Sequence, residues 1–227
     1  MPQSEFQRSE IWAIVVAGGD GRRFGARKQF LDLKGVNVLE RSVQAARAVA
    51  GRVVAVVPAS VLEDSSLHGG ADVVVAGGTD RAASVRAGLV AIPGTASAIV
   101  VHDAARPLAS ADLFSRVIAA LGEGIDGVVP GVAVTDTVKR VLGDRVIETL
   151  DRSTLIAVQT PQAFRAEALR AAHESGMSAT DDAALVEINR GAIAVVAGES
   201  RNIKLTEPSD VDIALGYIDE IDQGVAR

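Results

Sequence analysis

Apolar residues in this chain fall in short continuous runs separated by amphipathic stretches. The runs "IWAIVV" (11–16), "RVVAVVP" (52–58), "ADVVVA" (71–76), "SAIVVH" (97–102) and "GVVPGVAV" (127–134) predict strands, joined later by "AIAVV" (192–196) and "NIKL" (202–205). Continuous rather than alternating apolar runs suit strands covered on both faces, as in a parallel sheet. Between them lie helix candidates. In "NVLERSVQAARAVA" (37–50) the residues Val38, Leu39, Val43, Ala46 and Val49 fall on one face at helical spacing. Further helices are expected at 80–91, 110–121, 164–175, 180–189 and 208–222, the last with Thr206 or Ser209 as cap and Pro208 in its first turn. Strands alternating with helices predict an α/β, doubly wound, mostly parallel sheet of Rossmann-like type.

One segment breaks this rhythm. "VTDTVKRVLGDRVIETLDRS" (134–153) has short β-prone pieces around a polar turn at Gly143-Asp144, the pattern of a hairpin. It lacks the apolar content for a core of its own, so it is expected to project as a β-hairpin arm. Its apolar side must be covered, and a second copy of the chain is the expected cover, giving a homodimer. A solvated surface hairpin is the alternative.

Length adds that 227 residues suit a single domain, 1–227, with the arm as an appendage at about 134–153. With one Trp, one Tyr and five Phe, the chain has little material for a surface of stacked aromatics. Cysteine is absent and the three histidines (His68, His102, His173) are scattered, so neither a disulfide framework nor a zinc site is expected. A net charge of −6 gives nucleic acid no global attraction. The polar N-terminus does not read as a signal peptide, and no apolar run reaches the ~18 residues of a membrane span. A cytoplasmic protein without membrane contact is the expectation.

Against that acidic background, "VAGGDGRRFGARKQF" (16–30) stands out: four glycines and four cations directly after the first predicted strand. In doubly wound sheets ligands bind beyond the carboxyl ends of the strands, where glycine lets backbone N–H groups approach phosphate oxygens. The loop lacks the Gly-Lys-Ser/Thr ending of a P-loop and the third glycine of the dinucleotide fingerprint, where Phe24 stands. Paired cations there suit a triphosphate. Four more clusters bear on this. "VVHDAARP" puts Asp103 at a strand end, placed either to hold Mg²⁺ against phosphates or to serve as a cap or salt-bridge partner. "GGTDRAASV" (77–85) offers Gly77-Gly78 and Ser84, and "LDRSTLIAVQTPQAF" holds Arg152, Thr160 and Pro161 in one tract. "NIKLTEP" puts Lys204 where an unpaired buried ammonium would be costly, so it is expected to face an anion or solvent.

Taken in order, the Gly-rich loop with "KQF", "GG..R..S", "HDAARP", "DTVKR", "LDR", "QTPQAF", "TDDA" and "NIKLT" resemble the 2-C-methyl-D-erythritol 4-phosphate cytidylyltransferases of the non-mevalonate isoprenoid pathway, over about residues 11–220. The resemblance implies a Rossmann-like nucleotidyltransferase fold and transfer of a cytidylyl group from CTP to that polyol phosphate. It implies Ala17, Gly18 and Gly19 along the nucleotide, Gly78, Thr79 and Ser84 around the cytosine, and Asp103 on Mg²⁺ (or another divalent cation) with Ala104 near the ribose. Arg23 and Lys28 match the positions that stabilise the transition state. Arg152 and Lys204 match those that position the polyol phosphate, helped by Arg106, Thr137 and Thr160. In the family the arm crosses to a partner subunit, so Arg152 and Thr137 are expected to serve the neighbour's site. The chain departs from the family pattern at Val16, where proline usually opens the loop, at Arg27, usually proline, and at Thr79, where an acidic residue is common. The first departure also occurs in ribitol 5-phosphate cytidylyltransferases, which stay an alternative, as does a non-catalytic nucleotide-binding protein.

The implied chemistry explains the scarcity of histidine. A phosphate oxygen with a second pKa of about 6 is already ionised at neutral pH, so the attack needs no general base. It needs cations to bring two polyanions together.

Overall fold

A computed structural model describes residues 5–19 and 27–224. The main sheet contains β1 (Ile11–Val16), β2 (Arg52–Val57), β3 (Val73–Ala76), β4 (Ala98–Asp103), β5 (Gly127–Ala133), β8 (Ile156–Val158), β9 (Gln162–Arg165) and β10 (Ile193–Ala197). Its order is β10-β5-β9-β4-β1-β2-β3, with β8 paired to β5. All pairings are parallel except those of β8 and β9, which run antiparallel to their neighbours. The strand order reverses at β1: β2 and β3 lie to one side and β4 to the other, which opens a crevice at the carboxyl ends of β1 and β4.

The apolar runs of β1, β2 and β4 are covered on both faces, as their sequence predicts, whereas β3 is half-buried throughout and the edge strand β10 leaves Val195 exposed. Ala13, Val15, Val53, Ala55, Ala98 and Val100 point into one core, shared with α1 (Val38–Ala46) and α3 (Ala111–Ala119). Their neighbours Ile14, Val54, Val56, Ile99 and Val101 point into the other, shared with α2 (Arg81–Val90), α4 (Ala166–Glu174) and α5 (Asp182–Ile188). A smaller core of Leu33, Val38, Leu108, Leu205, Ala214 and Ile218 docks α6 (Ser209–Asp222). Four helices start on a side-chain cap that accepts a backbone N–H three residues on: Asn37, Asp80, Ser110 and Asp181.

The arm is present as a separate two-stranded sheet, β6 (Lys139–Leu142) and β7 (Arg145–Thr149), turning at Gly143 with φ of 61°. Every residue of both strands is exposed, including Val141, Leu142, Val146 and Ile147.

Three expectations need correction. Residues 202–205 form no strand. Leu205 donates its N–H to Ala105 O, but Asn202 turns inward and is fully buried, bonding the Thr160 carbonyl and Gln159, so no ladder forms. The helix expected from 164 begins at Ala166, because Phe164 and Arg165 end β9. Neither Thr206 nor Ser209 caps α6; instead the Asp210 carboxylate reaches back to accept the N–H groups of Thr206 and Glu207.

Candidate active site

Two cavities open side by side, one of about 440 Å³ above the switch point and one of about 570 Å³ over β5, β8, β10 and α5. The smaller is built from the ends of β1, β3 and β4. Backbone bonds hold these ends together: Ala17 N–H to Val56 O, Gly77 N–H to Val57 O, and Ala104 N–H to Val16 O at 3.0 Å. Gly18 and Gly77 face each other closely enough that a methyl group on Gly77 would sit 3.3 Å from the Gly18 Cα and 3.1 Å from the Ser84 hydroxyl. That hydroxyl accepts the Gly78 N–H at 3.1 Å and donates to Asp80 O, so it fixes the turn before α2. Gly78 has no room for a side chain, since a Cβ would lie 2.4 Å from that of Ala83.

Every residue expected around the nucleotide lines this cavity: Ala17, Gly18 and Gly19 on one wall, Gly78, Thr79 and Ser84 on another, Asp103 and Ala104 on the floor. Lys28 and Lys204 line it too. Lys28 opens a single 3₁₀ turn, Lys28–Phe30, and its ammonium donates to Leu205 O, while buried Gln29 donates to Gly19 O at 3.0 Å. The Gly-rich loop and the 202–205 segment, distant in sequence, are thereby tied together. Arg23 lies outside the described residues.

Arg106 and Thr160 line the second cavity. Arg81, Asp103 and Lys204 line both, and so form the wall between them. Arg152 and Thr137 line neither; both are exposed at the base of the arm, where Arg152 donates to Thr135 O.

The wall is an ionic cluster. Asp103 Oδ1 accepts from Arg81 Nε at 2.9 Å and its Oδ2 from Lys204 Nζ at 2.7 Å. Burial alone would raise the Asp103 pKa, but the charges and hydrogen bonds of Arg81 and Lys204 outweigh it and hold the carboxyl well below its ordinary range. Asp103 is therefore ionised at any working pH. The anion expected opposite Lys204 is this carboxylate, and Asp103 serves as a salt-bridge partner of Arg81 and Lys204.

Behind Asp103, His102 is fully buried, and burial pushes its ring down to about 4. Its hydrogen bonds agree with a neutral ring. Nε2 sits 3.2 Å from Arg106 O, an acceptor only, so Nε2 carries the proton. Nδ1 then accepts from the Thr160 hydroxyl at 3.1 Å, and that oxygen accepts the Asp103 N–H at 3.0 Å. His102 and Thr160 thus set the backbone that aims Asp103.

Residues to which the sequence motifs assigned no role complete the cluster. Arg81 also reaches Asp182, Nη1 to Oδ2 at 2.7 Å, and Asp182 Oδ1 bonds His173 Nε2 at 2.9 Å. Asp181 caps α5 and accepts from Gln162. The "TDDA" string thereby divides its two carboxylates between a helix cap and an ion pair.

Comparisons with known proteins agree with this geometry. The family model "IspD: 2-C-methyl-D-erythritol 4-phosphate cytidylyltransferase" matches residues 11–220. A protein of that name from Carboxydothermus hydrogenoformans is 42% identical over 220 residues, covering 90% of this chain and 94% of that one. The "Bifunctional enzyme IspD/IspF" of Nitratidesulfovibrio vulgaris is 43% identical over 221 residues, 88% of this chain; the chain spans only 56% of that relative's length. Among solved structures, a 4-diphosphocytidyl-2C-methyl-D-erythritol synthase from Anaerococcus prevotii superposes with a TM-score of 0.81 at 30% identity, covering 94% of this chain and all of that one. The 2-C-methyl-D-erythritol 4-phosphate cytidylyltransferase of Thermus thermophilus gives 0.77 at 31%, covering 91% and 98%. Motif order, sheet order and the crevice at β1 and β4 converge on one assignment: this chain belongs to the 2-C-methyl-D-erythritol 4-phosphate cytidylyltransferase family.

Proposed function

We propose that this chain transfers the cytidylyl group of CTP to 2-C-methyl-D-erythritol 4-phosphate, giving the CDP-alcohol and pyrophosphate. The observation that carries this reading is the shared wall: two cavities of substrate size meet at Asp103, Lys204 and Arg81, with Lys28 on the nucleotide side. Such a layout suits two anionic substrates approaching one phosphorus from opposite sides.

In this reading CTP lies over Ala17–Gly19 with its base toward Gly78, Thr79 and Ser84, and the polyol phosphate lies beside Arg106 and Thr160. Its phosphate oxygen attacks the α-phosphorus in line, and the bond to the bridging oxygen of pyrophosphate breaks. Lys28, with Arg23, neutralises charge on the α-phosphate and the leaving group. Lys204 holds the attacking phosphate.

The residues also fit a divalent cation such as Mg²⁺. That ion keeps most of its waters and asks for only one or two carboxylates beside substrate phosphates. Asp103, ionised and lining the nucleotide cavity, would hold it, and the ion would supply charge neutralisation at the phosphates. Each Asp103 oxygen keeps a second acceptor direction beside its present bond.

We further infer a homodimer formed through the arm, which brings Arg152 and Thr137 of one copy to the crevice of the other. Four exposed apolar residues on β6 and β7 support it. We also propose that the reaction runs in the cytoplasm, where nucleoside triphosphates are held.

The test is pyrophosphate release with CTP and Mg²⁺, run side by side on methylerythritol phosphate and ribitol 5-phosphate. Release with the first substrate and little with the second is the expected result. CTP binding without release from either would overturn the reading in favour of a nucleotide-binding protein.

A further inference from the structure

We propose that Arg81 is a positioning residue for Asp103, and that Asp182 and His173 hold it in place from behind. The inference rests on the reading above for its kinetic consequences, though not for its geometry.

The chain of contacts runs through four elements. Asp103 ends β4, Arg81 opens α2, and Asp182 opens α5, with His173 contributed by α4. Arg81 uses Nε for Asp103 and Nη1 for Asp182, so one planar guanidinium sets the distance between two carboxylates. A lysine cannot do this, because its ammonium is a single point with no fork. Asp182 is fully buried and lines neither cavity, so it meets no substrate. Its two oxygens are taken up by Arg81 and His173.

A buried carboxylate is a poor device for stability alone. Well-packed apolar residues of similar volume commonly stabilise a core as well or better. What the Asp182–Arg81 pair provides is direction: the guanidinium plane is fixed, and with it Asp103 Oδ1, while Lys204 fixes Oδ2. Without Asp182, Arg81 is free to turn toward either cavity, and Asp103 loses one of its two restraints. Outer partners of this kind typically change activity by about 10–100-fold when lost.

The test uses the full-length protein in three forms: wild type, Asp182→Asn and Arg81→Lys. Three quantities are read: kcat and KM for CTP per folded molecule, the melting temperature, and the Arg81 Nε–H resonance of the ligand-free protein with its exchange rate. For Asp182→Asn the expected result is a kcat about 10–100-fold lower with KM changed far less, together with faster exchange at Arg81. Arg81→Lys is expected to lose kcat in the same range. A lower melting temperature with wild-type kcat per folded molecule would make Asp182 a merely structural residue and overturn the proposal. So would unchanged exchange at Arg81. Should Asp182→Asn not fold, wild-type turnover by Arg81→Lys would overturn it equally. An inactive wild type would instead count against the proposed reaction, while the Arg81 resonance would still report on the positioning contact.

Discussion

The crevice and the arm contain the same chemical contact in opposite surroundings. Arg81 meets Asp182 at 2.7 Å, and Arg140 meets Glu148 across the hairpin at 2.7 Å. In the first pair the carboxylate side chain is 1% exposed, in the second 52%. Distance alone would rate them equal; solvation separates them. Water and salt screen the arm pair, whereas in the crevice Asp182 has given up its hydration and depends on its partners, Arg81 keeping a quarter of its side chain exposed toward the cavities. Catalytic geometry sits where charges are costly to misplace, and the arm exposes what a second molecule can cover.

The widest gap between the two regions is expected on removing one charge. Arg81→Met leaves Asp182 buried with only His173, which should cost about 3–5 kcal/mol in urea unfolding. The double variant Arg81→Met/Asp182→Leu should recover most of that loss, since it removes the stranded charge. A single variant as stable as wild type would mean that solvent reaches Asp182 and that the contrast fails.

Next comes turnover. Lys28 is tied to Leu205 O on the nucleotide side of the wall. If Lys28 neutralises the transition state as proposed, its loss should lower kcat by about 10²–10³-fold, as losing an oxyanion donor does. Lys28→Ala tested for pyrophosphate release checks this, and near-normal turnover would remove Lys28 from the mechanism.

These two positions also mark how far the sequence can be read. That Lys28 would stand at the crevice was legible because its signal is local: cations among glycines directly after an apolar strand. The strands of the two cores were legible for a similar reason, as were α1 to α3, expected from 37, 80 and 110, where Asn37, Asp80 and Ser110 prove to cap them. The role of Arg81 was not, because Asp182 lies 101 residues away and no pattern around either residue names the other. Lys204 and Asp103 are also 101 apart; the family resemblance brought both to one site, and the rule that a buried ammonium needs an anion hinted at their direct contact. β8 and β9 escaped for another reason. Three and four residues on either side of a proline give too little periodicity, and their antiparallel insertion beside β4 and β5 is a matter of topology. For 202–205 a β-like composition misled, since Asn202 finds its partners inside the fold.

A third contrast concerns pH. His102 is neutral in the folded crevice, held by burial at about 4 against an ordinary 6.5. Between those values the unfolded chain binds a proton that the folded one refuses. The stabilisation is therefore complete above pH 6.5 and is lost as pH falls toward 4. The loss should approach about 3 kcal/mol at the bottom of that window. His102→Gln, which does not titrate, should show a flatter profile when urea unfolding is compared at about pH 7 and about pH 4.5. Equal slopes in the two proteins would mean that the ring takes up its proton without disturbing the Thr160 and Arg106 contacts.

The smallest effects on folding belong to the arm. Breaking its exposed ion pair with Glu148→Ala should change unfolding free energy by no more than about 1 kcal/mol, and less at high salt. Leu142→Asp, at a side chain 74% exposed, should leave the stability of the isolated chain within about 0.5 kcal/mol. Yet that second variant should shift the oligomeric state from dimer to monomer in analytical ultracentrifugation, because it puts a charge where the proposed partner brings apolar surface. Turnover should fall with the dimer, since Arg152 and Thr137 would then have no neighbouring crevice to serve. If Leu142→Asp stays dimeric, the exposed face of β6 and β7 is not the contact. If it becomes monomeric but keeps full activity, Arg152 and Thr137 do not act across the interface, and the crevice is complete within one chain.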